Sequence, residues 1–216
     1  MIKTRSQRRK RKQTLKNNHY LNHLKQIYPQ PIYDSHSGKH PIYNTTYGEM
    51  NYDGMNSMFS NLQDHNVKQC KTFMDLGSGR GSICLYMASK PNIKNSIGVE
   101  LIKERVDDAI QLKNNLGKNN YTSKIQFYND DIFKFMNHQP IHPHPYLVWI
   151  SNLLFKDKET NQIYKELIDK LPNQSIICSS NPPSTYDEHR CKKIKEINVP
   201  MSWSQDSNVY AYQIMK

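Results

Sequence analysis

The sequence predicts an α/β protein in which a mostly parallel, twisted sheet carries helices on both faces and closes with an antiparallel hairpin. Short apolar segments alternate with amphipathic segments from residue 72 to residue 179. A glycine-rich segment follows the first apolar segment, and β-rich segments close the chain. Such alternation is typical of a parallel sheet, because each parallel strand needs a crossover connection before the next one.

The N-terminal region is strongly basic. Residues 1–33 hold nine Lys or Arg and no acid, so they carry most of the net charge of +11. The run of Arg8, Arg9, Lys10, Arg11 and Lys12 favours binding to the phosphates of DNA or another polyanion. Such a run is also typical of a nuclear localisation signal. We expect residues 1–40 to form a flexible basic arm and connector, and residues 41–216 to form the folded domain. A solvated tail without a specific partner stays an alternative.

Each element of the predicted domain follows from its local pattern. Strands are short apolar runs between turn residues, and helices are segments whose apolar residues recur every three or four positions. The strands are expected at residues 72–76, 96–100, 124–128, 146–151 and 175–179, with the hairpin at 202–204 and 209–214. The helices are expected at residues 13–24, 52–62, 83–89, 103–116 and 159–171.

Composition argues against several classes of protein. No apolar run approaches the roughly 18 residues of a membrane span, so no membrane partner is expected. The four cysteines form no C-x-x-C pair, which favours reduced thiols in an intracellular protein. His138, His142 and His144 are separated by prolines and favour a surface loop over a metal site, so no metal is expected.

An acid directly before the glycine-rich segment indicates the type of cofactor. Asp75 ends the first strand, and Gly77, Ser78, Gly79 and Gly81 follow it with G-x-G-x-G spacing. A dinucleotide site places a pyrophosphate at this point, where a carboxylate would repel it. S-adenosylmethionine instead carries an ammonium and a sulfonium, which a carboxylate attracts. These residues therefore predict an S-adenosylmethionine site.

Two further acids lie at the ends of the next two strands. Glu100 follows Asp75 by 25 residues and is placed to accept both ribose hydroxyls. Asp131 is placed to meet the adenine amino group, with Ile132 or Phe133 against the ring. A nicotinamide enzyme, and an α/β domain whose glycines only form turns, stay as alternatives.

Several short motifs resemble one family over roughly residues 40–216. The motifs are Tyr47-Gly48-Glu49, Asp75-Leu76-Gly77-Ser78-Gly79, Ser151-Asn152-Leu153-Leu154-Phe155, Ser179-Ser180-Asn181-Pro182, and Ser202-Trp203 followed by Tyr210. Their order and spacing resemble the non-SET histone lysine methyltransferases named for disruption of telomeric silencing. The resemblance implies a class I, Rossmann-like fold and S-adenosylmethionine as cofactor.

The resemblance also implies roles for individual residues. Tyr47 and Glu49 match the loop that folds over the cofactor. Asn152 matches an asparagine beside both the cofactor and the methyl-transfer channel. Phe155 and Tyr210 match residues of the lysine channel. The implied activity is methylation of a lysine on a chromatin protein, foremost a core histone in a nucleosome, by a nuclear enzyme that we expect to be a monomer.

The chain also departs from the family pattern, and the departures leave the acceptor open. Ser151 replaces the first Asn of its motif, and Asn181-Pro182-Pro183 stands where the family has Lys-Pro-Phe. Asn-Pro-Pro resembles the motif of adenine-type amino-methyltransferases, although Ser184 stands in the place of the stacking aromatic residue. A non-histone lysine, a nucleic-acid base and a catalytically silent chromatin-binding module are the alternatives.

Overall fold

A computed structural model describes residues 5–29 and 48–216. Tyr47 and the predicted domain boundary at residues 40–41 lie outside the described residues. Of Arg8, Arg9 and Lys10 only the backbone is described. No helix in the described part of the chain is long and apolar enough to cross a membrane.

A seven-stranded sheet forms the centre of the molecule. Its strands are β1 (Thr72–Leu76), β2 (Asn95–Glu100), β3 (Ile125–Asn129), β4 (Tyr146–Ile150), β5 (Ile176–Ser179), β6 (Cys191–Val199) and β7 (Ser207–Ile214). Their order is β3-β2-β1-β4-β5-β7-β6. The first five strands in this order are parallel, β7 is antiparallel to β5, and β6 is antiparallel to β7. The order reverses between β1 and β4, and the carboxyl ends of such strands form the usual ligand crevice of an open α/β sheet.

Helices cover both faces of the sheet, as predicted. They are α1 (Arg5–Ile27), α2 (Tyr52–Asn61), α3 (Ser82–Met87), α4 (Lys103–Asn115), α5 (Ile132–His138) and α6 (Asp157–Lys170). The first four helices contribute buried residues to one apolar cluster, and the last two contribute to a second. The sheet separates these clusters because its central strands are buried on both faces, as in other parallel sheets.

The N-terminal segment differs from the expected flexible arm. It is helical from Arg5 to Ile27, and Tyr20 and Leu24 are buried against the first cluster. Tyr20 also donates a hydrogen bond from its hydroxyl to the main-chain oxygen of Leu85 at 2.9 Å. Leu15, by contrast, is 60% exposed. The second half of α1 therefore docks on the domain through buried apolar residues, and Gln13 adds a hydrogen bond to the hydroxyl of Tyr121 at 3.1 Å.

The antiparallel hairpin is confirmed, but the predicted position of its first strand was wrong. That strand is β6, and residues 202–204 lie in the loop that joins β6 to β7. The strand is an edge strand, and the lysines at positions 192, 193 and 195 interrupt its apolar alternation. Charged residues are common on edge strands because they prevent pairing with other chains, and here they obscured the pattern.

Candidate active site

The glycine-rich loop turns sharply after β1. Gly77 and Gly81 have φ angles of 92° and 76°, in the left-handed region that favours glycine. The main-chain N–H groups of Gly77 and Ser78 both donate to Val99 at 2.9 Å, which fixes the loop against β2. A Cβ on Gly81 would lie 2.4 Å from Cζ of Phe127. The glycines therefore serve both the turn and the close approach of the Phe127 ring.

Asp75 lies at the floor of this loop and is 1% exposed. Its Oδ1 atom has no hydrogen-bond partner among the described residues. Burial raises the pKa of Asp75 well above its usual range, and the charges of Glu100 and Glu49 raise it further. The carboxyl groups of Asp75, Glu49 and Glu100 thus lie near one another in the interior, below the glycine-rich loop. A buried carboxyl with one unpartnered oxygen beside two other carboxyl groups fits a cationic ligand.

Glu100 is fixed by the backbone around it. Its Oε2 accepts a hydrogen bond from the N–H of Gly79 at 2.9 Å, and its Oε1 accepts one from Ile102 at 2.8 Å. Arg105 adds an ion pair, with Nη1 at 3.9 Å from Oε1. Each carboxylate oxygen keeps further lone pairs for ribose hydroxyls. Glu100 therefore holds the glycine loop in addition to the role predicted for it.

Asp131 caps a helix that the sequence analysis did not predict. Its Oδ1 accepts hydrogen bonds from the N–H groups of Phe133 at 2.9 Å and Lys134 at 3.2 Å. Only Oδ1 takes part in the cap, and Ile132 and Phe133 pack, half-buried, against the second cluster. The cap fixes Asp131 at the carboxyl edge of β3, where the adenine contact was predicted. Helix α5 has seven residues, too few to show a clear helical period.

Glu49 enters the site from outside the sheet. It is 5% exposed, and its Oε1 accepts hydrogen bonds from the hydroxyl of Tyr28 and, at 3.3 Å, from that of Ser82. Its main chain is tied to the loop before β7, since its N–H donates to Ser202 Oγ at 3.0 Å and its oxygen accepts from Ser202 N–H at 2.7 Å. The loop that carries Glu49 is thus held from both sides.

Asn152 has a different environment from the one predicted. It is fully buried, and its Nδ2 donates to the main-chain oxygen of Asn181 at 2.9 Å and to Oγ1 of Thr160 at 3.2 Å. Its Oδ1 accepts from the N–H of Asn181 at 2.8 Å. The side chain thus joins the segments that follow β4 and β5, and its Oδ1 keeps a second lone pair. The predicted role of Asn152 beside the methyl-transfer channel stays a prediction, and the structure adds a positioning role to it.

Aromatic and apolar side chains surround this part of the edge. Tyr210 pairs in register with Ser179 at the end of β5, and Tyr210 and Phe155 both pack, half-buried, against the second cluster. Nζ of Lys193 lies 5.0 Å from the centre of the Tyr210 ring. Trp203 is 41% exposed and packs so closely on Gly48 that a Cβ there would lie 2.4 Å from its ring.

Sequence reasoning missed the residues that support the site from a distance. Tyr28, Ser82 and Thr160 each bond to a predicted site residue. Their residue types are common, and no local spacing distinguishes them. Ser180 and Asn181 belong to a motif that the sequence showed, but no role was predicted for either: Asn181 bonds to Asn152, and the Ser180 hydroxyl is buried without a hydrogen-bond partner among the described residues.

Comparison with known proteins decides the family. The family described as "Histone methylation protein DOT1" matches residues 35–210, which include the glycine loop, the acids and the aromatic residues described above. The chain belongs to this family. The DOT1-family chain is therefore an S-adenosylmethionine-dependent methyltransferase, and the three buried carboxylates fit that cationic cofactor.

One curated relative and two solved structures to which the chain is similar are also described as methyltransferases. A curated tRNA1(Val) (adenine(37)-N6)-methyltransferase of Proteus mirabilis is 31% identical over 75 residues, which are 34% of this chain and 29% of that enzyme. The match thus spans less than a third of that relative. An RNA methyltransferase of Salinibacter ruber, solved with S-adenosyl-L-homocysteine, superposes with a TM-score of 0.54 at 16% identity, covering 74% of this chain and 91% of that one. The putative methyltransferase yhhF of Escherichia coli superposes with a TM-score of 0.57 at 16% identity, covering 74% of this chain and 84% of that one.

Proposed function

We propose that this DOT1-family protein methylates the Nζ atom of a lysine on a DNA-packaging protein, foremost a core histone in a nucleosome. The match to the family of histone methylation proteins over residues 35–210 carries the proposal. It includes the residues of the acceptor edge as well as those of the cofactor pocket. The resemblance of Phe155 and Tyr210 to lysine-channel residues points to the same acceptor.

The pocket residues would hold the cofactor through charge and hydrogen bonds. Asp75 and Glu49 attract a cation, and Glu100 offers its remaining lone pairs to the ribose. Asp131 is placed for the adenine amino group. When bound, S-adenosylmethionine supplies an electrophilic methyl group. The protein then has to place a nucleophile in line with that group and exclude water, because positioning accounts for much of the rate of such a transfer.

The acceptor edge favours a neutral amine. Lysine has an ordinary pKa near 10.4, so its ammonium must lose a proton before it can act as a nucleophile. A narrow apolar surround lowers the pKa of an amine by desolvation, and Phe155, Tyr210 and Trp203 offer such a surround. The amide of Asn152 would hold the two flanking segments at a fixed separation. The ammonium would lose its proton to solvent, which frees the nitrogen lone pair for the methyl group that the cofactor would supply, with S-adenosyl-L-homocysteine as the leaving group.

The charge distribution supports a polyanionic assembly as the substrate. Three segments contain Lys or Arg and no acid. Residues 5–29 hold eight such bases, residues 76–99 hold three, and residues 109–129 hold three. Helix α1 joins these segments, since Asn17 donates to the main-chain oxygen of Ser89 at 3.2 Å and Gln13 donates to the hydroxyl of Tyr121 at 3.1 Å. We call these three segments the acid-free face because they hold no acid of their own, although Asp108 outside them pairs with Arg80 at 3.1 Å. Such a surface suits the phosphates of DNA, where counterion release drives association.

The test is methyl transfer from labelled S-adenosylmethionine to free histones, nucleosomes, duplex DNA and RNA, each assayed separately. The expected result is label on a lysine of a histone, with nucleosomes modified faster than free histones. An Asp75→Asn variant is the matched control, because it removes the charge at the cofactor pocket and keeps the side-chain size. Label on nucleic acid alone would exclude the lysine proposal.

An adenine acceptor is the second candidate, and the Proteus relative favours it. Its matched segment covers about a third of this chain. Asn181-Pro182-Pro183 follows β5, and the Asn181 amide donates to the main-chain oxygen of Leu153 at 3.1 Å. Ser184 offers no ring on which a flipped base could stack. The same assay separates the candidates, since N6-methyladenine in RNA or DNA would establish this one.

A further inference from the structure

The carboxyl end of α1 reaches the cofactor pocket. Tyr28 follows the helix, is 5% exposed, and donates its hydroxyl to Oε1 of Glu49. The main-chain oxygen of Tyr28 accepts a hydrogen bond from the hydroxyl of Tyr52 at 2.9 Å. Tyr28 is therefore held by its backbone while its side chain contacts a carboxylate of the pocket.

Glu49 needs such a donor because of its surroundings. It is buried, and its charge is one of the causes that raise the pKa of Asp75. Two neighbouring carboxylates disfavour each other's charged form, and a hydrogen bond donated to the charged form favours it. A hydrogen bond to a charged group contributes more than one between neutral groups, and the Tyr28 hydroxyl makes such a bond to the oxygen that Ser82 also contacts.

We propose that Tyr28 is a positioning residue for the cofactor, so that the basic helix α1 is part of the S-adenosylmethionine site. In this arrangement Tyr28 holds the carboxylate of Glu49 toward the pocket, and the docking of α1 is coupled to cofactor affinity. The inference rests on the role proposed for Glu49 and is independent of the methyl acceptor.

Tyr28→Phe and Tyr20→Phe form a matched pair of variants. Each removes one hydroxyl from the buried side of the same segment, and Tyr20 donates to the main chain of Leu85 instead of to the pocket. We expect Tyr28→Phe to weaken binding of S-adenosyl-L-homocysteine in calorimetry by about tenfold. Tyr20→Phe should change that binding by less than about twofold, at a similar loss in melting temperature. Equal effects of both variants on binding would overturn the proposal.

Kinetics and hydrogen exchange distinguish positioning from general destabilisation. In Tyr28→Phe the KM for S-adenosylmethionine should rise while kcat at saturating cofactor stays unchanged. In the cofactor-free protein the amide of Glu49, which donates to Ser202, should exchange faster in Tyr28→Phe than in Tyr20→Phe. A fall in kcat with an unchanged KM would contradict the proposal.

Glu49→Gln separates failure of this inference from failure of the assigned site. If Glu49→Gln weakens cofactor binding and Tyr28→Phe does not, Glu49 stays in the site and the role of Tyr28 is excluded. If neither variant weakens binding, Glu49 itself leaves the site and the inference fails with it. If both weaken binding, the double variant should be no weaker than Glu49→Gln alone, because the two residues act through one contact.

Discussion

At the residue scale, Asp75 links the charge of the pocket to pH. Its pKa is raised by burial and by two neighbouring acids, and a cationic cofactor should oppose that rise and favour loss of the proton. A carboxyl whose folded-state pKa is raised contributes stability below its unfolded pKa, and that stability is lost as the pH rises through the folded value. The cofactor-free protein should therefore lose stability as the pH rises from the ordinary carboxyl pKa through the raised one, and the bound protein should lose less.

The affinity for S-adenosylmethionine should accordingly fall as the pH is lowered through the raised pKa of Asp75. Binding should release a proton, which calorimetry in buffers of different ionisation enthalpy detects directly. Asp75→Asn should bind the cofactor weakly and with a flatter pH profile. A wild-type affinity that stays constant over the same range would contradict the assignment of Asp75 to the cation.

Glu100→Ala should cost about 2–4 kcal/mol of cofactor binding, because it removes charge-assisted hydrogen bonds. It should also lower the melting temperature, since the amides of Gly79 and Ile102 lose their acceptor. Glu104→Ala is the matched control, because Glu104 is an exposed acid in the first turn of α4. Similar binding by both variants would exclude Glu100 from the pocket.

At the element scale, the acceptor side depends on two neighbouring strands staying in register. β4 and β5 are parallel, and the segments that follow them are joined by the Asn152 amide and the main chain of Asn181. The N–H of Ser180 also donates to the main-chain oxygen of Ile150 at 3.2 Å, and the Asn181 amide donates to the main-chain oxygen of Leu153 at 3.1 Å. Among these contacts the Asn152 amide is the fully buried side chain that joins the two segments.

Asn152→Ala should reduce kcat strongly and leave cofactor affinity nearly unchanged, because it releases these segments without touching the carboxylates. Single-turnover rates and calorimetry measure the two effects separately. Asn161→Ala is the control: its side chain also bonds across to the segment after β5, at Ser184, but on the exposed surface. A loss of cofactor affinity as large as the loss of turnover would place Asn152 in the cofactor pocket.

At the scale of the whole molecule, the proposed function assigns phosphate binding to the acid-free face and methyl transfer to the acceptor edge. Burial lowers the pKa of Lys124, and the charge of Lys94 lowers it further, so positive charges lie close together on the body as well as on α1. Under the proposed function such a surface would supply affinity for phosphates without contributing to the chemistry.

Reversing charge on the body should therefore weaken only assembly-bound turnover. Lys94→Glu combined with Lys118→Glu should raise the KM for nucleosomes and flatten its salt dependence, because fewer counterions are released. Activity on free histone should stay unchanged. Lys165→Glu with Lys192→Glu is the control, since these exposed lysines lie on α6 and β6, outside the acid-free face. Equal effects of both pairs would assign the salt dependence to net charge alone.

The sequence by itself determined the five parallel strands, the glycine loop and the acids at or next to the carboxyl ends of β1 and β2. These features follow from local signals: apolar runs, turn residues, and a carboxylate where a phosphate site would have none. The motifs of the acceptor edge were also readable, because several agree in type and spacing. Each of these inferences uses residues that are close together in the chain.

Only the tertiary structure decided which residues hold those parts in place. The contact of Tyr28 with Glu49 joins positions 21 residues apart, and that of Asn152 with Asn181 joins positions 29 apart. The docking of α1 depends on Leu24 finding an apolar surface built by later helices. A buried hydrogen bond or apolar contact of this kind stabilises the fold only after the chain has brought both partners together, so no local pattern encodes it.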